Sequence, residues 1–159
     1  MSRLINEIVV HCAATRPNWY SGRSLSEKIK EIRRWHLERG FNDIGYHWII
    51  DRNGEIGRGR PESTMGAHVR GHNRNSIGIC LLGGHGSSER DLFVQNFTGV
   101  QNLALRRLIW KIQTRYEITR ISGHNEYAAK ACPGFNVGTW LRTIFMPEMV
   151  IKARQPAAN

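Results

Sequence analysis

Residues 76–83 read SIGICLLG, a near-continuous apolar run closed by Gly83-Gly84. A run of this length fits a central strand buried on both faces. Such a strand needs a layer above it and a layer below it, and the flanking segments supply both. Residues 4–12 (LINEIVVHC) are rich in Ile and Val and predict a second strand. Alternation sends Val9 and Val10 to opposite sides, and His11, near the strand's end, shares the side of Val9. Residues 45–51 and 55–60 flank Arg52-Asn53-Gly54, and Asn-Gly there is a hairpin signal. Residues 118–122 predict a short last strand.

The helical segments are as clearly marked. Ser24 and Glu27 form a capping box ahead of a helix over 25–39, and Gly40 stops it. Its apolar stripe is Leu25, Ile29, Ile32 and Trp35 or His36. Thr98 and Gln101 repeat the cap ahead of a helix running to about Tyr116, with Leu103, Leu108, Ile112 and Tyr116 as apolar positions. A last helix covers about 137–145, and residues 85–97 and 123–135 read as loops. Strands alternate with helices, which predicts an α/β fold: one domain with a central mixed sheet flanked by helices.

The chain of 159 residues is long enough to bury one proper core. Its 23 Lys and Arg against 13 Asp and Glu give a net charge of +10. That balance favours polyanions such as nucleic acid, anionic lipid or acidic cell-wall polymers, and it equally serves solubility. No apolar run reaches the about 18 residues that span a bilayer. The first residues, MSRLINEIVVHC, lack the basic, long-apolar and small-residue regions of a signal peptide, so a cytoplasmic protein is expected. Three cysteines, Cys12, Cys80 and Cys132, without an export signal do not predict a disulfide framework.

The chemistry concentrates in GHNEYAAKACPG (123–134), a loop after a strand. His124 and Cys132 offer the imidazole nitrogen and thiolate sulfur that zinc accepts. A third ligand must come from elsewhere, and His11 at a strand end is a candidate. Two plainer roles stand beside this one: a loop histidine bonded to backbone and a small buried cysteine. A Cys132–His124 thiol dyad is also open, whereas neighbours Cys12 and His11 face opposite ways on a strand. His36 reads as an ordinary helix residue, and His85 as a solvated loop residue. His72 sits with His68 in the loop GAHVRGHN.

Six stretches together resemble the type 2 N-acetylmuramoyl-L-alanine amidase family, whose relatives include the peptidoglycan recognition proteins. They are VHCAATRP (10–17), IRRWHLERGF (32–41), DIGYHWIIDRNG (43–54), GRGRPESTMGAHVRGHNRNSIGICLLGG (57–84), NFT (96–98) and HNEYAAKACPGF (124–135). They occur in the family's order and cover most of residues 8–141. The resemblance implies a zinc site of His11, His124 and Cys132, with Tyr46 and Lys130 as the catalytic side chains. It also implies that His47 and His68 line the site or hydrogen-bond to its ligands. Residues 1–150 become the catalytic domain and 151–159 a flexible polar tail.

The implied substrate is peptidoglycan, and the implied bond is the amide between N-acetylmuramic acid and L-alanine. One zinc per chain would lower the pKa of its water toward about 7 and polarise the amide carbonyl. Tyr46, Lys130 and a second water all remain open as proton shuttle. A phage or prophage endolysin is the expected setting, with no stable nucleic-acid partner and a monomeric state. Two other functions compete. A wall-binding module without activity is disfavoured because the Cys ligand, which inactive relatives lack, is present as Cys132. An RNA polymerase inhibitor is disfavoured because only ten residues precede His11, fewer than in a phage relative with that second activity.

Overall fold

The computed structural model describes residues 2–143. The expected tail, 151–159, and the end of the expected last helix lie outside them. In chain order the elements are β1 (Glu7–Cys12), α1 (Leu25–Glu38), β2 (Trp48–Ile50), β3 (Ile56–Arg58), β4 (Ser76–Leu81), α2 (Phe93–Asn96), α3 (Gly99–Gln113), β5 (Arg120–Gly123) and α4 (Val137–Arg142). A 3₁₀ turn at His124–Glu126 follows β5. The strand order is β3-β2-β4-β1-β5, so the apolar run of β4 lies at the centre, with all its residues buried. β1 runs parallel to β4 and β5, β2 runs parallel to β4, and β3 pairs antiparallel with β2. The sheet is therefore mixed, as expected.

Alternation divides the side chains between two faces. Ile8, Val10, Ile77, Ile79 and Leu81 meet α3 and α4 in a large apolar core with Leu105, Leu108, Ile112, Phe135 and Trp140. Ile49 and Cys80 point the other way and join Leu25, Ile29 and Ile32 of α1 in a smaller cluster. Both expected capping boxes form, at Ser24–Glu27 and Thr98–Gln101. Each joins two otherwise unpaired backbone donors to side chains, which fixes where the helices begin. Lys28 of α1 is buried and bonds both carboxylate oxygens of Asp51, at 2.9 and 2.8 Å. The Asn53-Gly54 turn closes the β2–β3 hairpin, with Gly54 at φ +86°.

Some expectations need correction. Leu103 is exposed, because the buried stripe of α3 is Gln101, Ala104, Leu105, Leu108, Ile109 and Ile112. Helix α3 ends at Gln113, short of Tyr116. The stretch 85–97 holds the short helix α2, whose Phe93 packs into the core. β2 and β3 are shorter than the expected strands over 45–51 and 55–60. Among the described residues no helix is long and apolar enough to cross a membrane.

Candidate metal centre

His11 lies on β1 opposite Cys80 of β4, on the α1 side of the sheet, and is 1% exposed. His124 opens the turn after β5, the strand on the other side of β1. Parallel pairing thus brings two residues distant in sequence to the same sheet end. The loop then returns Cys132 to this end, where its Sγ accepts the Cys12 backbone N–H at 3.3 Å. The Nδ1 atoms of His11 and His124 are 3.2 Å apart, and Cys132 Sγ is 3.8 Å from His11 Nδ1. All three ligand atoms lie within 4.8 Å of one another. A tetrahedral zinc with ordinary bond lengths spaces its ligands by about 3.4 Å for N–N and about 3.6 Å for N–S. The His11–His124 and His11–Cys132 spacings are close to these values.

A hydrogen-bond chain fixes which nitrogen His11 offers. The Ser76 hydroxyl donates to the His72 carbonyl at 2.6 Å, which leaves its oxygen to accept from His68 Nε2 at 3.2 Å. His68 Nδ1 is then an acceptor, and it lies 2.8 Å from His11 Nε2. So His11 carries its proton on Nε2 and presents a lone pair on Nδ1, toward His124 and Cys132. Burial, then the neighbouring His68, His124 and Lys130, hold His11 well below the usual histidine pKa. Burial and Lys130 also lower the His124 pKa. Both rings are neutral at pH 7, as a metal ligand requires. The Cys132 thiol is pushed up by the Cys12 thiol beside it and by burial. A bound cation would supply the positive charge that a thiolate there needs.

His68 fits because two glycines make room for it. A Cβ on Gly78 would sit 2.5 Å from the His68 ring, and one on Gly66 would sit 2.6 Å from it. Gly78 in the central strand therefore marks a close approach. The structure does not bring His47 to the cleft. Its Nδ1 accepts the Gly78 N–H at 3.0 Å and its Nε2 donates to the Thr64 carbonyl at 2.9 Å. It supports the bed under His68, with ring centroids 5.7 Å apart.

His124 and Cys132 line a cleft of about 780 Å³ together with Tyr46, His68 and Lys130, and His11 lies buried behind them. The Tyr46 ring lies 5.3 Å from that of His11. Burial and then the nearby thiols of Cys80, Cys132 and Cys12 raise the Tyr46 pKa well above its usual value, so its hydroxyl stays a donor. His36, read as ordinary, accepts the Gly45 N–H at 2.7 Å and fixes the backbone just before Tyr46. Sequence reasoning missed Ser76, Gly78 and the Cys12 N–H. A glycine inside an otherwise apolar central strand was the one available signal.

Two imidazoles and a thiol thus gather at one sheet end beside a cleft that carries a phenol and an ammonium, a set of donors that could hold a metal ion. Residues 1–135 match the family model described as N-acetylmuramoyl-L-alanine amidase, and the chain belongs to that family. It is 43% identical over 133 residues to the endolysin of Escherichia phage T7, covering 84% of this chain and 83% of that one. A solved N-acetylmuramoyl-L-alanine amidase, LysC from Clostridium intestinale, superposes with a TM-score of 0.70 at 27% identity, covering 88% of this chain and 85% of that one. Drosophila PGRP-LB superposes equally well, with a TM-score of 0.70 at 25% identity over 92% of this chain and 84% of that one.

Proposed function

We infer that the chain is a zinc-dependent endolysin-type amidase that hydrolyses the bond between N-acetylmuramic acid and L-alanine in peptidoglycan. The observation that carries this is the convergence of His11 Nδ1, His124 Nδ1 and Cys132 Sγ at the cleft. Two nitrogens and one sulfur suit zinc, and three protein ligands are the number that catalytic zinc sites use. When bound, the ion supplies an activated water and Lewis-acid polarisation of the amide carbonyl.

The other work falls to the chain's own side chains. The Tyr46 hydroxyl, protonated at neutral pH and on the cleft, donates to the oxygen that gains negative charge in this reading. The Lys130 ammonium, on the same cleft, adds positive charge beside it. His68 holds the His11 ring in the ligating tautomer. Residues 1–150 form the catalytic domain in this reading. In this reading the enzyme acts as a monomer.

The test is clearing of purified peptidoglycan with and without a zinc chelator. Loss of clearing on chelation, and its return with added zinc, is the expected result. Clearing that persists in a protein shown to be metal-free would overturn the zinc assignment. Binding to the wall without clearing would favour a recognition module.

A further inference from the structure

Two of the three candidate ligands, His124 and Cys132, sit on one loop, and its backbone hydrogen bonds are mostly local. Tyr127 and Ala128 bond back to His124, and Lys130 bonds to Ala128. Such bonds shape the loop without tying it to the wall that carries His11. The β5–β1 pairing holds the loop's start at Gly123, and the Cys12 N–H holds Cys132 Sγ. Tyr127, between the two ligands, adds the side-chain tie midway. Its hydroxyl donates to Glu7 Oε1 at the start of β1. Its ring stacks on His72 of the facing loop, with centroids 3.8 Å apart and planes 26° apart. The Arg120 guanidinium lies 5.2 Å from the same ring.

The anchor points are themselves fixed. The Glu7 side chain is only 12% exposed, and its Oε1 also accepts from Ser122 Oγ at 2.6 Å and lies 3.5 Å from Arg120 Nε. The His72 carbonyl accepts from Ser76, at the head of the chain that sets the His11 tautomer. His72 therefore holds the His11 side through its backbone and the His124–Cys132 loop through its ring.

We propose that Tyr127, clamped between Glu7 and His72, is a positioning residue that fixes His124 and Cys132 relative to His11 and so sets metal affinity. The proposal rests on the metal site inferred above. If the span between the two ligands shifts, the His124 ring and Cys132 Sγ lose their spacing to His11 together, and the site weakens. Loss of comparable outer supports lowers metal affinity about 10–100-fold.

The experiment measures zinc dissociation constants of the full chain by competition with a chromophoric chelator. The metal-free forms are melted in parallel. The variants are Tyr127→Ala, Tyr127→Phe, and His72→Ala, which removes the stack from an exposed position. Tyr127→Ala should weaken zinc binding by about 10–100-fold. Tyr127→Phe keeps the stack and should fall between it and wild type, and His72→Ala should also weaken binding. Unchanged affinity in Tyr127→Ala overturns the proposal. So does a loss in Tyr127→Ala that accompanies a destabilised metal-free fold while His72→Ala binds zinc as wild type does. Wild-type protein that binds no zinc would instead break the underlying metal reading.

Discussion

The two faces of the sheet are built on different rules. The face under α3 and α4 is filled by aliphatic and aromatic side chains, and its buried polar exception, Gln101, bonds the Leu82 and Ile50 carbonyls. The face toward α1 carries a smaller apolar cluster beside buried His11, His36, His47, His68 and Ser76 and the Lys28–Asp51 pair. Apolar contacts are non-directional, so the first face tolerates volume-conserving exchange. Each buried polar group on the second needs one particular partner, and losing that partner leaves a costly orphan. The larger apolar core lies on one side of the sheet, and the buried polar partnerships and the chemistry lie on the other.

Substitutions can break or sharpen this contrast. The largest effect belongs to Cys132→Ser, which removes a ligand from the α1-side site. Zinc affinity should fall by more than the about 100-fold of an outer support, and wall cleavage should vanish, while circular dichroism stays native. A variant that still clears wall at the wild-type rate refutes the ligand set. Next are Tyr46→Phe and Lys130→Ala, each expected to cut turnover by about 10²–10³ with zinc content unchanged. Zinc loss in either would move that residue's role from catalysis to assembly of the site.

Stability should divide in the same way. Lys28→Ala leaves the Asp51 carboxylate buried without its cation. The cost should be about 3–5 kcal/mol in denaturant unfolding. On the opposite face Ile79→Val should cost only about 0.5–1.5 kcal/mol and leave turnover alone. Equal costs at the two positions would erase the contrast.

Acid should act on the imidazole face. Burial, then Arg39 and Arg60, lower the His36 pKa to about 4. His47 is also lowered to about 4, by burial first, with the Thr64 carbonyl and Glu62 opposing and Arg3 and Arg60 assisting. The unfolded chain takes up these protons near pH 6.5, before the folded state does. Stability should therefore be fully present above that pH and decline as pH falls from about 6.5 toward 4. A midpoint that does not move across this window in urea titrations would contradict neutral buried histidines.

Much of the architecture is legible in the sequence because local rules governed it. The capping boxes at Ser24 and Thr98, the Asn53-Gly54 turn and the apolar β4 run all form as the residues imply. Helix α3 departs from its simple apolar period, since Leu103 faces solvent and Gln101 is buried against backbone carbonyls. The site is legible in a different way. Spacing leaves His124 and Cys132 open to several roles, and only the resemblance of six ordered segments joins them to His11. The Ser76–His68–His11 chain was beyond reach, because it depends on which hydroxyl lone pair is free. His47 and His68 have the same residue type and similar burial. Only the geometry of Gly78, giving its N–H to one and space to the other, separates them.

The central claim is the identity of the bond cut. The most direct measurement is mass spectrometry of the fragments that the zinc-loaded protein releases from purified peptidoglycan. An amidase releases free stem peptides beginning at L-alanine and leaves intact glycan strands behind, which is the expected result. Released sugar fragments would mean a glycosidase and would contradict it.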